Sequence, residues 1–212
     1  MSSTAAAACE ARIVALEGQS VLPMSAEPTV ERLAYVPRAP RRREGTLVRE
    51  AQRGSADALE ELFRRHWRRT HRAAFLVVHD SSAAEDIAQE SFLAAIRALD
   101  RFDRRRPFGP WLHRITVNRA IDFARARALR GERALSDVSD PTSPDRAEIS
   151  DQLLSGLAEL SPEQRAVLVL RYLLDYTPGE IGEILGLPRG TVNSRLRRGL
   201  DRLRPLVEAD RS

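Results

Sequence analysis

Apolar residues recur at intervals of three and four along most of the chain, and this spacing excludes most folds. Leu59, Leu62 and Phe63 begin the pattern, and Ala74 and Val78 continue it. Such spacing places apolar side chains on one face of an α-helix, whereas a half-buried strand requires strict alternation of apolar and polar residues. No stretch of the sequence alternates in that way. We therefore predict an all-α protein.

The segment 131–150 interrupts the helical pattern. It is rich in serine, aspartate and proline and poor in large apolar residues, a composition typical of a linker. Residues 1–44 combine small residues, prolines and an arginine cluster without sustained periodicity, which is typical of a disordered extension. The chain has 212 residues, which is more than one typical domain requires. We predict two small helical domains, at 45–130 and 151–207, joined by a flexible linker.

Capping signals predict where several helices begin. Thr46 is the expected N-cap of the first helix, and Ser82, followed three positions later by glutamate, forms a capping-box pattern for the third. Ser161 and Thr177 are each followed by proline and, at the third position, by glutamine or glutamate. The fourth helix is expected to begin at Trp111, after an arginine-rich loop.

Charge is distributed unevenly along the chain. All 34 basic residues are arginines and the net charge is +4. Arginine matches phosphate and guanine edges, although codon bias alone also explains a chain without lysine. Residues 101–130 carry a net charge of +7, whereas residues 132–163 carry −6. Because a nucleic-acid footprint is a local basic patch, the first of these segments is a candidate DNA-binding region.

Several classes of site lack support in the sequence. The single cysteine, Cys9, has no disulfide partner, and the four histidines lack a partner at zinc-ligand spacing. No glycine-rich phosphate loop or nucleophile–base pair stands out, so we expect no catalytic site, no metal and no cofactor. No apolar run approaches the roughly 18 residues of a spanning helix, and no signal peptide is evident. We expect a cytoplasmic protein without membrane insertion.

The stretch TPGEIGEILGLPRGTVNSRLRRGL, from Thr177 to Leu200, contains two helix starts, a glycine turn and a burst of arginines. At 100° per residue, the apolar face of the second helix comprises Val192, Leu196, Leu200 and Leu203. The other positions carry polar residues suited to reading DNA: Arg189, Thr191, Asn193, Ser194, Arg197 and Arg198. A helix-turn-helix inserts such a second helix into the major groove, where arginine pairs with guanine and asparagine with adenine. An ordinary surface helix of a bundle remains the alternative.

The segment AEDIAQESFLAAIRALDRF, at 84–102, has two distinct arcs. One is apolar and comprises Ile87, Ala94, Ala98 and Leu99. The other is mixed and comprises Asp86, Gln89, Glu90, Leu93, Ile96 and Arg97. A helix buried against its own domain needs only one apolar stripe, so the mixed arc indicates a protein partner. A central helix covered on both sides by its own domain is the alternative.

Three segments together resemble the extracytoplasmic-function group of bacterial sigma factors, over about Leu47 to Val207. They are AEDIAQESFLAAIRALDRFD, PWLHRITVNRAIDFARAR and LSPEQRAVLVLRYLLDYTPGEIGEILGLPRGTVNSRLRRGLDRLR. The resemblance implies that 45–130 is sigma region 2 and that 151–207 is sigma region 4. Gly109, Gly182 and Asn193 depart from the family pattern, and at Gly182 the family usually has alanine.

The resemblance also implies partners and roles for individual residues. Core RNA polymerase, through the clamp helices of its largest subunit, would dock on Asp86, Gln89, Glu90, Leu93 and Ile96. The −10 promoter element would be bound and melted by Phe102, Arg104, Arg105, Phe108, Trp111, Arg114, Asn118 and Arg119. The −35 element would be read by Arg189, Thr191, Asn193, Ser194, Arg197 and Arg198. The polymerase flap and an anti-sigma factor are further expected partners.

The implied function is that of a promoter-specificity subunit, which is not itself an enzyme but recruits core polymerase and opens DNA. Two alternatives stay open on sequence alone. A stand-alone helix-turn-helix regulator binds duplex DNA specifically without polymerase. An adaptor that sequesters protein partners retains its activity when Arg197 and Arg198 are replaced by alanine.

Overall fold

The computed structural model describes residues 43–130 and 151–209, and the regular elements of these ranges are all helical. The first unit contains α1 (Glu44–Gln52), α2 (Ala56–Val78), α3 (Ser81–Ala98) and α4 (Phe108–Leu129). The second unit contains α5 (Asp151–Ala158), α6 (Pro162–Leu168), α7 (Pro178–Leu185) and α8 (Arg189–Ala209). A 3₁₀ turn, Leu99–Arg101, follows α3, and a π-helical turn, Val169–Leu173, follows α6. The predicted all-α fold of two helical units is confirmed.

The predicted linker, 131–150, and residues 1–42 of the predicted N-terminal extension lie outside the described residues. Glu44, which was included in that extension, is the first residue of α1. In the described ranges no helix is both long enough and apolar enough to cross a membrane.

Both predicted capping boxes of the second unit are present. The Ser161 hydroxyl accepts a hydrogen bond from the Gln164 N–H at 3.3 Å, and the Gln164 side chain accepts one from the Ser161 N–H at 3.0 Å. Thr177 and Glu180 make the same reciprocal pair at the start of α7, at 3.4 and 2.7 Å. These local bonds satisfy N–H groups that have no partner within the helix, which explains why both starts were predictable.

Two other predicted caps are wrong. Thr46 lies inside α1, which begins two residues earlier. The N-cap residue of α1 is Arg43, whose side chain makes no capping hydrogen bond. Ser82 lies inside α3, whose N-cap is Asp80. One oxygen of Asp80 accepts a hydrogen bond from the Ala83 N–H and the other accepts one from Arg127 of α4, both at 2.9 Å. Asp80 is favoured because its carboxylate both caps α3 and anchors α4.

The fourth helix begins at Phe108, one turn before the predicted start at Trp111. Its first N–H groups are satisfied by a distant side chain. The Glu44 carboxylate accepts hydrogen bonds from the Phe108 N–H at 2.7 Å and the Gly109 N–H at 3.3 Å. A carboxylate at a helix N-terminus is also favoured by the helix dipole. The extra turn therefore depends on a contact with α1.

In the first unit α2 is central, because it contacts α1, α3 and α4. The core between these helices includes the fully buried side chains of Leu47, Leu62 and Leu112. In α8 the buried face contains Val192, Leu196 and Leu203, as predicted, but Leu200 is 37% exposed. Gly199 is buried on this face instead of Leu200. It packs so closely that an added Cβ would lie 2.9 Å from the Leu168 side chain.

The two units are docked on each other. Helix α6 and the π-turn contact α2, α6 and α7 contact α4, and α7 also contacts α8. One buried apolar cluster contains Val77 and Val117 of the first unit together with Val167 and Ile181 of the second. Although the two domains were predicted as separate units on a tether, in this structure they share a core.

Candidate nucleic-acid and polymerase interfaces

The turn between α7 and α8 is tight because two backbone segments approach closely. Gly186 ends α7 in the left-handed conformation, with φ 67° and ψ 36°, which glycine adopts without strain. The Leu187 N–H donates a hydrogen bond to the Gly182 carbonyl at 2.8 Å. A Cβ on Gly182 would lie 2.7 Å from the Leu187 carbonyl oxygen. Glycine at 182 therefore allows the close approach of the two backbone segments in this turn.

The polar face of α8 points away from the rest of the second unit. Asn193, Arg197 and Arg198 are exposed, whereas Val192 and Leu196 on the other side are buried. Among the remaining predicted readers of the −35 element, Arg189 is exposed and Thr191 and Ser194 are partly buried. The six predicted residues thus lie on the N-terminal half of one helix, as major-groove readout requires.

Arg198 is positioned by its neighbours on the same helix. Its Nη2 donates to the Ser194 hydroxyl at 3.1 Å, and that hydroxyl donates to the Thr191 carbonyl at 3.0 Å. The guanidinium is exposed, so it is accessible to a ligand in the orientation that Ser194 favours. Less rotamer freedom is then lost when it binds.

A strip of polar residues runs from the loop before α4 along that helix. It comprises three arginines and one asparagine and is called the basic strip: Arg104, Arg105, Arg114 and Asn118. All four residues are exposed. Arg119, predicted to act with them, is partly buried, and its Nη1 lies 2.5 Å from Glu90 Oε2 of α3. Exposed arginines along one edge are suited to following a phosphate backbone.

The predicted aromatic residues of the −10 group pack together beneath this strip. Phe102 contacts Trp111 in a tilted arrangement with ring centroids 4.5 Å apart, and Phe108 meets Trp111 edge-on at 5.7 Å. Phe102 and Phe108 are buried, at 8% and 4% exposure, and Trp111 is partly buried. The two phenylalanines therefore support the loop and do not present a face for stacking bases.

Glu44 and two histidines organise the N-terminal end of α4, a role that was not predicted from the sequence. His66 Nε2 lies 3.6 Å from Glu44 Oε2. The neighbouring His66 and the two backbone N–H donors lower the pKa of Glu44 to about 2, against the opposing effect of its burial. Burial lowers the pKa of His113 to about 3, so this imidazole is neutral. No local signal marks these contacts, since Glu44 and Phe108 are 64 positions apart.

The residues predicted to dock on core polymerase lie together along α3. Asp86 and Glu90 are exposed, and Gln89, Leu93 and Ile96 are partly buried. The buried side of α3 is formed by other residues, among them Ile87 and Phe92. This docking face, defined by its five members, thus places apolar side chains beside exposed acidic groups, as in the apolar core and polar rim of a protein interface.

No metal centre is present in the two described ranges, where no three His, Cys, Asp or Glu side chains are grouped closely enough to hold an ion.

Comparison with known proteins identifies both units. The family model for sigma-70 region 2 matches residues 62–130, and the model for sigma-70 region 4 matches residues 156–205. The extracytoplasmic-function (ECF) sigma factor SigW of Bacillus subtilis is 31% identical over 173 residues, which cover 74% of this chain and 92% of SigW. SigM of Mycobacterium tuberculosis strain H37Rv is 35% identical over 157 residues, which cover 73% of this chain and 79% of SigM.

Solved structures agree with these matches. The structure of CnrH in complex with the cytosolic domain of CnrY superposes with a TM-score of 0.61 at 30% identity and covers 79% of this chain and 98% of CnrH. The two matched regions also occur in the order, and on the helices, that the geometry singled out. The chain therefore belongs to the sigma-70 family, in its extracytoplasmic-function group, and is a promoter-recognition subunit that acts with core RNA polymerase and promoter DNA.

Proposed function

We propose that this sigma factor divides its work among three surfaces: the docking face of α3 for core polymerase, the basic strip with Arg119 for the −10 element, and the polar face of α8 for the −35 element. The observation that carries the proposal is the orientation of α8. Its arginines and Asn193 are exposed, while its apolar residues are buried against the helix-turn-helix. A helix presented in this way is suited to major-groove contacts.

The two DNA surfaces are proposed to act differently. Arg197, Arg198 and Asn193 carry the donors and acceptors that distinguish guanine and adenine edges. In contrast, Arg104, Arg105 and Arg114 are suited to phosphates, and partly buried Trp111 is the aromatic side chain available for an unstacked base. The first surface therefore selects a sequence in duplex DNA, and the second holds the strand that separates.

The wider assignments follow from the family. We propose that the chain has no catalytic activity of its own and acts in the cytoplasm, where core polymerase is found. The flap of the polymerase would contact the second unit. CnrH was solved with the cytosolic domain of CnrY, and a comparable anti-sigma protein is a proposed partner of this chain.

Run-off transcription with purified core polymerase tests the proposed function. Addition of the chain is expected to produce initiation at a defined promoter, and omission of either the chain or the core is expected to abolish it. Promoter-independent transcripts only, or specific DNA binding that does not require core, would contradict it.

Replacement of Arg198 by alanine is expected to weaken promoter binding by about 1 to 3 kcal/mol if the side chain reads a base. The loss should be confined to promoters with the preferred base in the −35 element, as measured by competition binding of the holoenzyme. Arg204, which is 66% exposed on the same helix, provides the control as Arg204→Ala. An equal loss on all sequences would assign Arg198 to phosphate contact instead.

Replacement of Asp86 by arginine is expected to weaken binding to core polymerase by about tenfold or more, because like charges then meet at an interface. Fluorescence anisotropy of the labelled chain titrated with core measures this affinity. Asp57→Arg reverses an exposed acid on α2 and is expected to leave the affinity unchanged. An unaltered affinity for Asp86→Arg would remove Asp86 from the docking face.

A further inference from the structure

The interface between the two docked units contains two polar pairs. A hydrogen bond of 2.7 Å joins His113 Nδ1 of α4 to Tyr176 Oη, which lies just before α7. Arg125 of α4 forms an ion pair of 2.6 Å with Glu163 of α6. The shared apolar cluster also contributes to this contact. The docked arrangement is therefore specific, since these pairs fix which faces meet.

The docked arrangement is too compact for the proposed promoter contacts, and the inference below rests on that proposed function. Helix α7 contacts both α4 and α8. Packed helix axes are about 8 to 10 Å apart, so α4 and α8 lie within about 20 Å of each other. The −10 and −35 elements are separated by about 25 base pairs, or about 85 Å at about 3.4 Å per base pair. The units must separate before both elements are bound.

Arg165 of α6 is buried without full hydrogen bonding. It is only 7% exposed, and its Nε and Nη1 atoms have no hydrogen-bond partner within 43–130 and 151–209. Burial lowers the pKa of Arg165 to about 10, and the nearby Glu163 charge opposes this shift only in part. A buried donor without an acceptor loses its hydration and gains nothing in exchange.

A second buried arginine provides a comparison within the same protein. Arg127 is also 7% exposed, but its Nη1 donates to the Asp80 carboxylate at 2.9 Å. Both partners of this pair belong to the first unit, so the pair does not depend on the docking of the two units. Arg165 lies on α6, which contacts α2 and α4 of the other unit, so separation of the units exposes that side of α6 to water.

His79, at the C-terminal end of α2, places Arg165 near the boundary between the units. Burial first, and the Arg165 charge second, lower the pKa of His79 to about 4. Its Nε2 is likewise buried, with no hydrogen-bond partner in the part of the chain that the structure describes. The interface therefore holds two polar groups that water would solvate better.

We propose that Arg165 makes the docked state of the two units metastable, because its buried guanidinium, in which Nε and Nη1 lack hydrogen-bond partners within the described ranges, favours their separation. The apolar cluster and the two polar pairs stabilise the docked state, and the burial of Arg165 destabilises it. The balance leaves the open state accessible when core polymerase binds. Arg165 is thus a positioning residue for the domain arrangement and contacts neither DNA nor polymerase in this role.

The test measures the arrangement directly, by fluorescence energy transfer between the units of the full chain. Cysteines introduced as Asp57→Cys and Glu183→Cys, both at exposed positions, carry the dyes in a Cys9→Ser background. Replacing Arg165 by methionine is expected to lower the open-to-closed ratio by about tenfold, because an apolar side chain of similar length removes the cost of burial. Arg204→Met makes the same chemical change at a position that is 66% exposed and is expected to leave the ratio unchanged.

A second variant is expected to shift the equilibrium between docked and separated units toward separation. Tyr176→Phe leaves His113 Nδ1 without its partner and is expected to raise the open-to-closed ratio by about fivefold. If Arg165→Met leaves the ratio unchanged, or opens the units, the inference is overturned. The measurement needs no polymerase or DNA, so its failure is distinguishable from failure of the proposed function. With limiting core, run-off transcription is expected to decrease for Arg165→Met and to be restored by excess core.

Discussion

Replacement of Gly182 by alanine is expected to destabilise the second unit by about 2 kcal/mol, the usual scale for an overpacked site. The new Cβ would lie 2.7 Å from the Leu187 carbonyl oxygen, and a backbone atom in a turn cannot rotate away as a side chain can. The turn has to open, and the 2.8 Å bond from the Leu187 N–H to the Gly182 carbonyl weakens with it. Urea unfolding followed by circular dichroism measures the change.

Gly179, on the same helix, is the matched control. A Cβ there meets only the Thr177 hydroxyl, at 4.0 Å. Because alanine has the higher helix propensity, Gly179→Ala is expected to be neutral or slightly stabilising. Promoter binding should fall with Gly182→Ala alone, since opening the turn changes how α8 is presented. Equal stability of the two variants would show that the turn accommodates a methyl group.

Replacement of Glu44 by alanine is expected to destabilise the first unit by about 2 kcal/mol and to loosen the start of α4. The substitution removes the acceptor of two backbone N–H groups, and bonds to charged groups are worth more than neutral ones. The Glu44 side chain is 36% exposed, so solvent screening keeps the value below what its pKa shift alone implies. Thermal unfolding measures the loss, and hydrogen exchange at Phe108 and Gly109 localises it.

The pH dependence gives an independent check on Glu44. Its pKa is about 2 in the folded protein, against 4.5 as the ordinary value. The carboxylate therefore contributes stability that is complete above about pH 4.5 and is lost as the pH falls toward 2. Glu44→Gln keeps an acceptor for the two N–H groups but abolishes this contribution. The difference in free energy of unfolding between this variant and the wild type should therefore shrink as the pH falls from 4.5 toward 2. A difference independent of pH would exclude the charge as the cause.

Local signals in the sequence predicted the fold well where the structure uses local bonds. The capping boxes at Ser161 and Thr177 are formed within four residues, and both were correct. The caps expected at Thr46 and Ser82 were wrong, because tertiary contacts made other residues better helix starts. The early start of α4 was missed for a different reason, because a distant carboxylate, Glu44, satisfies its first N–H groups.

Among the candidate surfaces, too, features set by local sequence were predictable and features set by tertiary contacts were not. The polar face of α8 could be predicted because helical periodicity alone orients it, apart from the exchange of Leu200 for Gly199. The burial of Phe102 and Phe108 could not, because it depends on how the loop before α4 folds back. The docking of the two units depends on pairs such as His113 and Tyr176, 63 positions apart, which no periodicity connects.

The ion pair between Glu90 and Arg119 joins the surface proposed for polymerase to the surface proposed for DNA. Glu90 belongs to the interface proposed for polymerase, and Arg119 belongs to the one proposed for DNA. Polymerase and DNA therefore each compete with the ion pair and not with each other. On the proposed roles, polymerase that engages the carboxylate is expected to release the guanidinium toward a phosphate, and DNA that engages the guanidinium is expected to release the carboxylate. Linkage makes that assistance mutual. Because the Arg119 and Glu90 side chains are 41% and 62% exposed, the coupling is no larger than an exposed ion pair, about 1 kcal/mol or roughly a fivefold gain in affinity.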